Sequence, residues 1–243
     1  MSTAAIFDRT LRHQLSHHAA WLPLVTAFSL GDYGYFDGGV FRSVGNVADF
    51  GVKFQTVTGG STQLNYVTSA GTSVDYHLDG QGTVTTLPET NASATIQYSF
   101  KRKRSFILKA PTIVSTRIEN LAEVVAGVQH NVEHGWDHRY KLVTELLTAK
   151  GATFLATSSH DTKISLSGSA SVLRNFHLGN ATDPSQVQVE SDKSLSLQLV
   201  GKQGPCALGL IRLRHHRKTG LQPASGHYDP VPATVEADPQ DDH

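Results

Sequence analysis

Few side chains in this 243-residue sequence stand at spacings that chemistry requires. His130-Asn-Val-Glu133-His134 fits the H-x-x-E-H pattern, in which two imidazoles four apart on a helix share a zinc ion and the glutamate activates a water. A zinc hydrolase built on His130, Glu133 and His134 is therefore one reading of the chain. The flanking sequence argues against it. Val114, Ile118, Leu121, Val125, Val128 and Val132 form an apolar stripe, and at ~100° per residue the two histidines lie about 200° from it. They would face solvent, whereas a catalytic zinc helix faces a walled cleft. Thirteen histidines also make a chance match easy. Asp32, Asp37 and Asp49 lack the alternating spacing of a calcium loop and read as turn residues. Cys206 lies among small and apolar residues, where a thiol is buried and inert. There is no P-loop, no G-x-G-x-x-G after a strand and no G-x-S-x-G elbow. The expectation is a non-enzymatic protein with no cofactor and no metal centre.

Two basic clusters are the other candidates. Lys101, Arg102, Lys103 and Arg104 lie between Phe100 and Phe106, while Arg212, Arg214, Arg217 and Lys218 surround His215 and His216. The 21 basic and 21 acidic residues cancel, so no global field steers the protein and any anion affinity must be local. Such patches suit the phosphates of acidic lipids. They also suit strand ends decorated to discourage edge pairing. No recognition module accompanies the charge, so nucleic acid is not expected as a partner.

The elements that must carry these residues are mostly strands. Thr, Ser, Val and Gly are abundant, and charged residues are only 17%, a balance that favours sheets over a helical bundle. Phe7, Leu11, Leu15 and Ala19 predict a helix over 3–20 with Ser2 or Thr3 as its cap. A short apolar strand follows at 24–30. Glycines and aromatics alternate over 31–51, with a hairpin turn at Asp37-Gly38-Gly39 and a second tight turn at Gly45-Asn46. Alternation at Val74, Tyr76, Leu78 and at Ile96, Tyr98, Phe100 predicts strands within 52–100, and 106–110 is a strand closed by Pro111. The stripe above predicts an amphipathic helix over 112–134. Strands resume at 140–148, 152–158 and 162–166, with turns at Lys150-Gly151 and His160-Asp161, and alternation returns at 187–199 before a last strand at 206–214. Residues 1–218 read as one α+β domain: a mainly antiparallel twisted sheet, an N-terminal helix and one central amphipathic helix. Residues 219–243, rich in proline and acids, read as a flexible tail. One cysteine and the lack of any run of some 18 apolar residues give the expectation of a reduced, cytoplasmic protein.

The order of these elements resembles the pore-forming domain of the gasdermin family, in particular its compact microbial members. The shared order is a helix and short strand, a small hairpin carrying Gly39-Val-Phe-Arg-Ser-Val-Gly45-Asn-Val, polar alternating strands, a helix, a second set of strands at 140–168, and a last apolar strand at Ala207-Leu-Gly-Leu-Ile-Arg-Leu. The resemblance spans residues 3–214. It implies a membrane-acting protein that binds acidic lipids through Lys101–Arg104 and Arg212–Lys218, forms a homo-oligomer, inserts hairpins and is membrane-associated on activation. The alternative is a soluble β-rich binding or scaffold protein with an unknown partner.

Overall fold

The computed structural model describes residues 2–68, 70–131, 136–178, 186–216 and 220–223. Helix α1 (Thr3–Leu15) begins at Ser2, whose hydroxyl accepts from the Ala5 amide at 3.2 Å, and stops at Ser16, which adopts a left-handed φ of 63°. It ends earlier than its apolar spacing suggests, because residues 18 and 19 leave the helix to form β1 (His18–Ala19). The buried face of α1 carries Phe7 and Leu11, and Phe7 packs against Phe106 and Phe154 at centroid distances of 5.3 and 4.7 Å.

The chain continues through β2 (Asp32–Asp37), β3 (Val40–Asn46), a 3-10 turn at Val47–Phe50, β4 (Thr56–Val67), β5 (Thr72–Leu78), β6 (Gly82–Val84), β7 (Ser93–Phe100) and β8 (Phe106–Ile118). Then come α2 (Leu121–Asn131), β9 (Lys141–Ala156), β10 (Thr162–Ser169), α3 (Ala170–His177), β11 (Gln188–Ser191), β12 (Leu197–His216) and β13 (Gly220–Pro223). The strands divide between two sheets, and every pairing among the described residues is antiparallel. The larger sheet centres on β9, which pairs with β12 along one side and with β2 and then β8 along the other. β4 lies outside β8. The smaller sheet runs β11-β10-β7-β5-β6.

Strand period explains how the layers meet. On β8, Phe106 and Leu108 face the α1 core while Ile107 faces the smaller sheet; on β9, Phe154 and Leu155 divide in the same way. The middle of the larger sheet is thus buried on both faces. Ile96, Tyr98, Leu166, Leu173 and Phe176 complete the second core beneath α3. Helix α2 covers a third cluster at the other end of β9, where Val124, Val125 and Val128 meet Leu142, Ile211 and Leu213.

Five expectations are corrected. No strand forms at 24–30, and Gly45-Asn46 is not a tight turn. Asn46 ends β3 and caps the 3-10 turn, in a capping box with Asp49. The helix expected over 112–134 begins at Leu121, since Val114 and Ile118 belong to β8. Pro111 does not close β8. It sits where β8 has one residue more than β4, between the pairs Leu64↔Ala110 and Thr62↔Ile113, so its missing N–H breaks no ladder bond there. Lys150-Gly151 is a bulge within one long strand rather than a turn between two; Gly151 has φ 66° and the β9–β12 register shifts beside it. The tail expected from residue 219 lies outside the described residues, apart from Gly220–Pro223, which pairs with β12.

Candidate functional site

At one end of the larger sheet, β2, β9 and β12 bring aromatic and cationic side chains together. Tyr33 on β2 meets Phe50, Trp136 and Tyr140 at centroid distances of 5.7, 5.3 and 5.3 Å. All four rings are half-buried, and Trp136 Nε1 has no hydrogen-bond partner among the described residues. The Arg139 guanidinium lies 5.6 Å from the centre of the Tyr35 ring, and Lys141 Nζ lies 5.5 Å from that of Phe36. Arg212, opposite Lys141 on β12, donates from Nε to the carbonyl of His138 at 3.0 Å. Asp137 accepts from Arg139 at 2.7 Å, and that contact holds its carboxyl down to about 2. Arg139 is nonetheless 62% exposed, so its outer face remains open to a further anion. This end pairs cations with rings that have an apolar body and a polar edge.

Lys101, Arg102, Lys103 and Arg104 occupy the bend between β7 and β8. The first three are exposed, Arg104 has a left-handed φ of 64°, and Ser105 Oγ donates to the Arg102 carbonyl at 2.8 Å. Asp161 stands close by, its carboxyl lowered first by the hydrogen bond from His160 and then by Lys193 and Lys101. The bend adjoins Phe106, which pairs with Ala156 at the far end of β9 from Lys141. The two basic clusters are therefore not one site. They lie at opposite ends of β9, on the order of 50 Å apart along a strand rising ~3.3 Å per residue. Within the second cluster the backbone of Arg214 pairs with Gln222, while Arg217 and Lys218 lie outside the described residues. His130 is exposed on α2, Glu133 and His134 lie outside the described residues, and no group of three metal-ligating side chains occurs among those described.

Sequence reasoning missed two polar clusters. In the first, a cleft of about 190 Å³, His17 Nε2 stands 3.1 Å from Glu145, which also accepts from Ser115 Oγ. The His17 contact is close but out of line, an ion pair rather than an aligned hydrogen bond. Ser115 is bonded to the carboxylate and not to the imidazole, so no base activates its hydroxyl. The second cluster gathers His177, Tyr76, Tyr98, Lys109 and Asn65 between the two sheets. Both draw on residues far apart in the chain, which no local spacing reveals. Cys206 is buried as expected, bonded to the Leu147 carbonyl, with burial pushing its thiol up to about 12.

No family model and no curated protein matches the chain. Among solved structures, it is similar to the cryo-EM structure of the gasdermin A3 membrane pore, at 10% identity and a TM-score of 0.40, over 95% of this chain and 97% of that one. It is also similar to a bacterial gasdermin from Bradyrhizobium tropiciagri, at 11% identity and a TM-score of 0.35, over 81% of this chain and 82% of that one. Both structures belong to the family whose element order the sequence resembles. No helix among the described residues is long and apolar enough to cross a membrane, which leaves strands out of account.

Proposed function

We propose that this is a non-enzymatic, membrane-acting protein, a gasdermin-like pore former that docks on acidic lipid, assembles with further copies and inserts paired strands. The observation that carries the reading is the convergence of Arg139 and Arg212 with Tyr33, Tyr35, Trp136 and Tyr140 at one end of the sheet. Lys101–Arg104 supply a second, purely electrostatic contact at the other end. Length supports insertion. β4, β8, β9 and β12 have 12, 13, 16 and 20 residues, whereas a tilted strand crosses a bilayer with about 9–11. The apolar side chains of β8 and β9 are packed inside the soluble fold, so insertion exchanges that core for lipid.

Dye-loaded vesicles with and without phosphatidylserine test the proposal, through co-sedimentation and leakage. The natural chain binds and permeabilises the acidic vesicles only. Reversing Arg139 and Arg212 to glutamate lowers binding at least tenfold, since each cation near an acidic surface contributes about 1 kcal/mol and each reversal adds repulsion. Binding without leakage would remove pore formation. Absence of binding would remove the lipid reading altogether.

A further inference from the structure

His177, the last residue of α3, holds three parts of the fold together. Its ring nitrogens contact two hydroxyls of the smaller sheet: Tyr76 Oη lies 2.9 Å from Nε2 and Tyr98 Oη 3.2 Å from Nδ1. Its carbonyl faces the larger sheet, accepting from Lys109 Nζ on β8 at 3.0 Å and from Asn65 Nδ2 on β4 at 2.5 Å. Lys109 also donates to Asn65 Oδ1. Lys109 is only 2% exposed, and no carboxylate pairs with it among the described residues. An ammonium ion buried this way is held by neutral oxygens alone, with the C-terminal dipole of α3 in its favour.

We propose that this cluster is an acid-sensitive clasp, which joins α3 and the smaller sheet to the larger sheet at neutral pH and releases them when His177 gains a proton. A neutral imidazole satisfies the two tyrosines, donating to one hydroxyl and accepting from the other. Protonation turns both nitrogens into donors and puts a second positive charge beside Lys109. Among the described residues no carboxylate neutralises it. β5 and β7 present only Tyr76 and Tyr98, β4 presents Asn65, the single charged residue of β10 (Lys163) is exposed, and Arg174 on α3 is paired with Glu89 at 2.7 Å.

Burial first, then the Lys109 charge, lowers His177 from 6.5 to about 4, and burial lowers Lys109 from 10.5 to about 8. The sign follows from linkage. Above 6.5 the ring is neutral whether the clasp is closed or released, and closure carries no proton penalty. Between 6.5 and 4 the released form takes up a proton that the closed form resists, so closure weakens as pH falls. Lys109 stays charged throughout that window and contributes no change there. From pH 7.5 to pH 5.0 the closed-to-released ratio drops on the order of thirtyfold. The inference does not depend on lipid binding, and its test uses no lipid.

Amide hydrogen exchange of the full chain at pH 7.5 and 5.0, corrected for intrinsic rates, reads the clasp directly. Protection over 72–78, 93–100 and 170–178 falls at least tenfold on acidification, while the centre of β9 keeps its protection. In His177→Gln that fall disappears. An unchanged natural protein, or an equal fall in the variant, would overturn the clasp. Titration of the His177 ring by NMR in the natural chain is independent of how the variant folds: a pKa below about 5.5 supports the clasp and one at or above it overturns it.

Discussion

The aspartates of the 31–51 stretch show how far a single side chain can be read. Asp32 accepts from the Ser29 amide at 2.8 Å and from Asn46 Nδ2 at 2.8 Å, while Asp49 accepts from the Asn46 amide in the capping box of the 3-10 turn, so both brace turns as their spacing implied. The glycines between them divide by need. A Cβ on Gly34 would stand 1.8 Å from the Arg42 carbonyl oxygen, where β2 and β3 shift register. Gly34→Ala costs at least about 2 kcal/mol by overpacking, read by urea denaturation. The His17–Glu145 pair was illegible, because its partners are separated by most of the chain and neither sits in a motif. Contact with His17 comes first among the causes that lower Glu145 from 4.5 to about 2. Burial opposes the charge on His17, but Glu145 and the Leu15 carbonyl outweigh it and raise His17 above 6.5. The Glu145 contribution is present above 4.5 and lost as pH falls through about 2; the His17 contribution is present below 6.5 and lost as pH rises through its raised value. Glu145→Gln therefore costs about 1 kcal/mol near pH 6 and less as pH rises through the raised His17 value, where the imidazole loses its charge.

At the scale of elements, spacing was ambiguous wherever two periods share a step. Val114 and Ile118 are four apart, which places them on one side of a helix and equally on one face of a strand. Their assignment to β8 is decided by partners, since Val114 pairs with Thr148 on β9 and lies between β4 and β9 in the ladder. Turn signals failed in the same way at Lys150-Gly151, where a positive-φ glycine serves a bulge as readily as a turn. Where one period ran alone the reading held, as in Ile96, Tyr98 and Phe100, all of them buried on β7. The start of α1 was legible for a local reason, its Ser2 cap. Its docking was not. Asp8 is 5% exposed, accepts from the Ala19 amide at 2.9 Å and meets Arg12 at 2.9 Å and His18 at 3.2 Å, tying α1 to β1. Asp8→Ala leaves those groups without their shared acceptor and costs about 3 kcal/mol by denaturation. Limited proteolysis of the variant then cuts first within residues 3–19.

For the molecule as a whole, the consequence of the fold is that like-charged clusters are kept apart. A linear sequence shows two basic runs, but only the register of β8, β9 and β12 shows that one lies beside Ala156 and the other beside Lys141. Such pairing joins residues as distant in the chain as Lys141 and Arg212, or His18 and Leu208, which is why local pattern gave the elements and not their arrangement. The separation makes orientation on a bilayer a measurable quantity, and the chain's two tryptophans report it. Trp136 belongs to the aromatic group around Tyr33, whereas Trp21 packs against Phe7 and Phe154 at 6.1 and 6.3 Å, in the core beneath α1. If docking uses the Arg212 end, acidic vesicles with brominated acyl chains quench the emission of Trp21→Phe, which retains Trp136. The emission of Trp136→Phe, which retains Trp21, stays as in solution until strands insert. Selective quenching of Trp21 at the docking step would instead put the α1 layer against the lipid, and the aromatic end would then face away from the membrane.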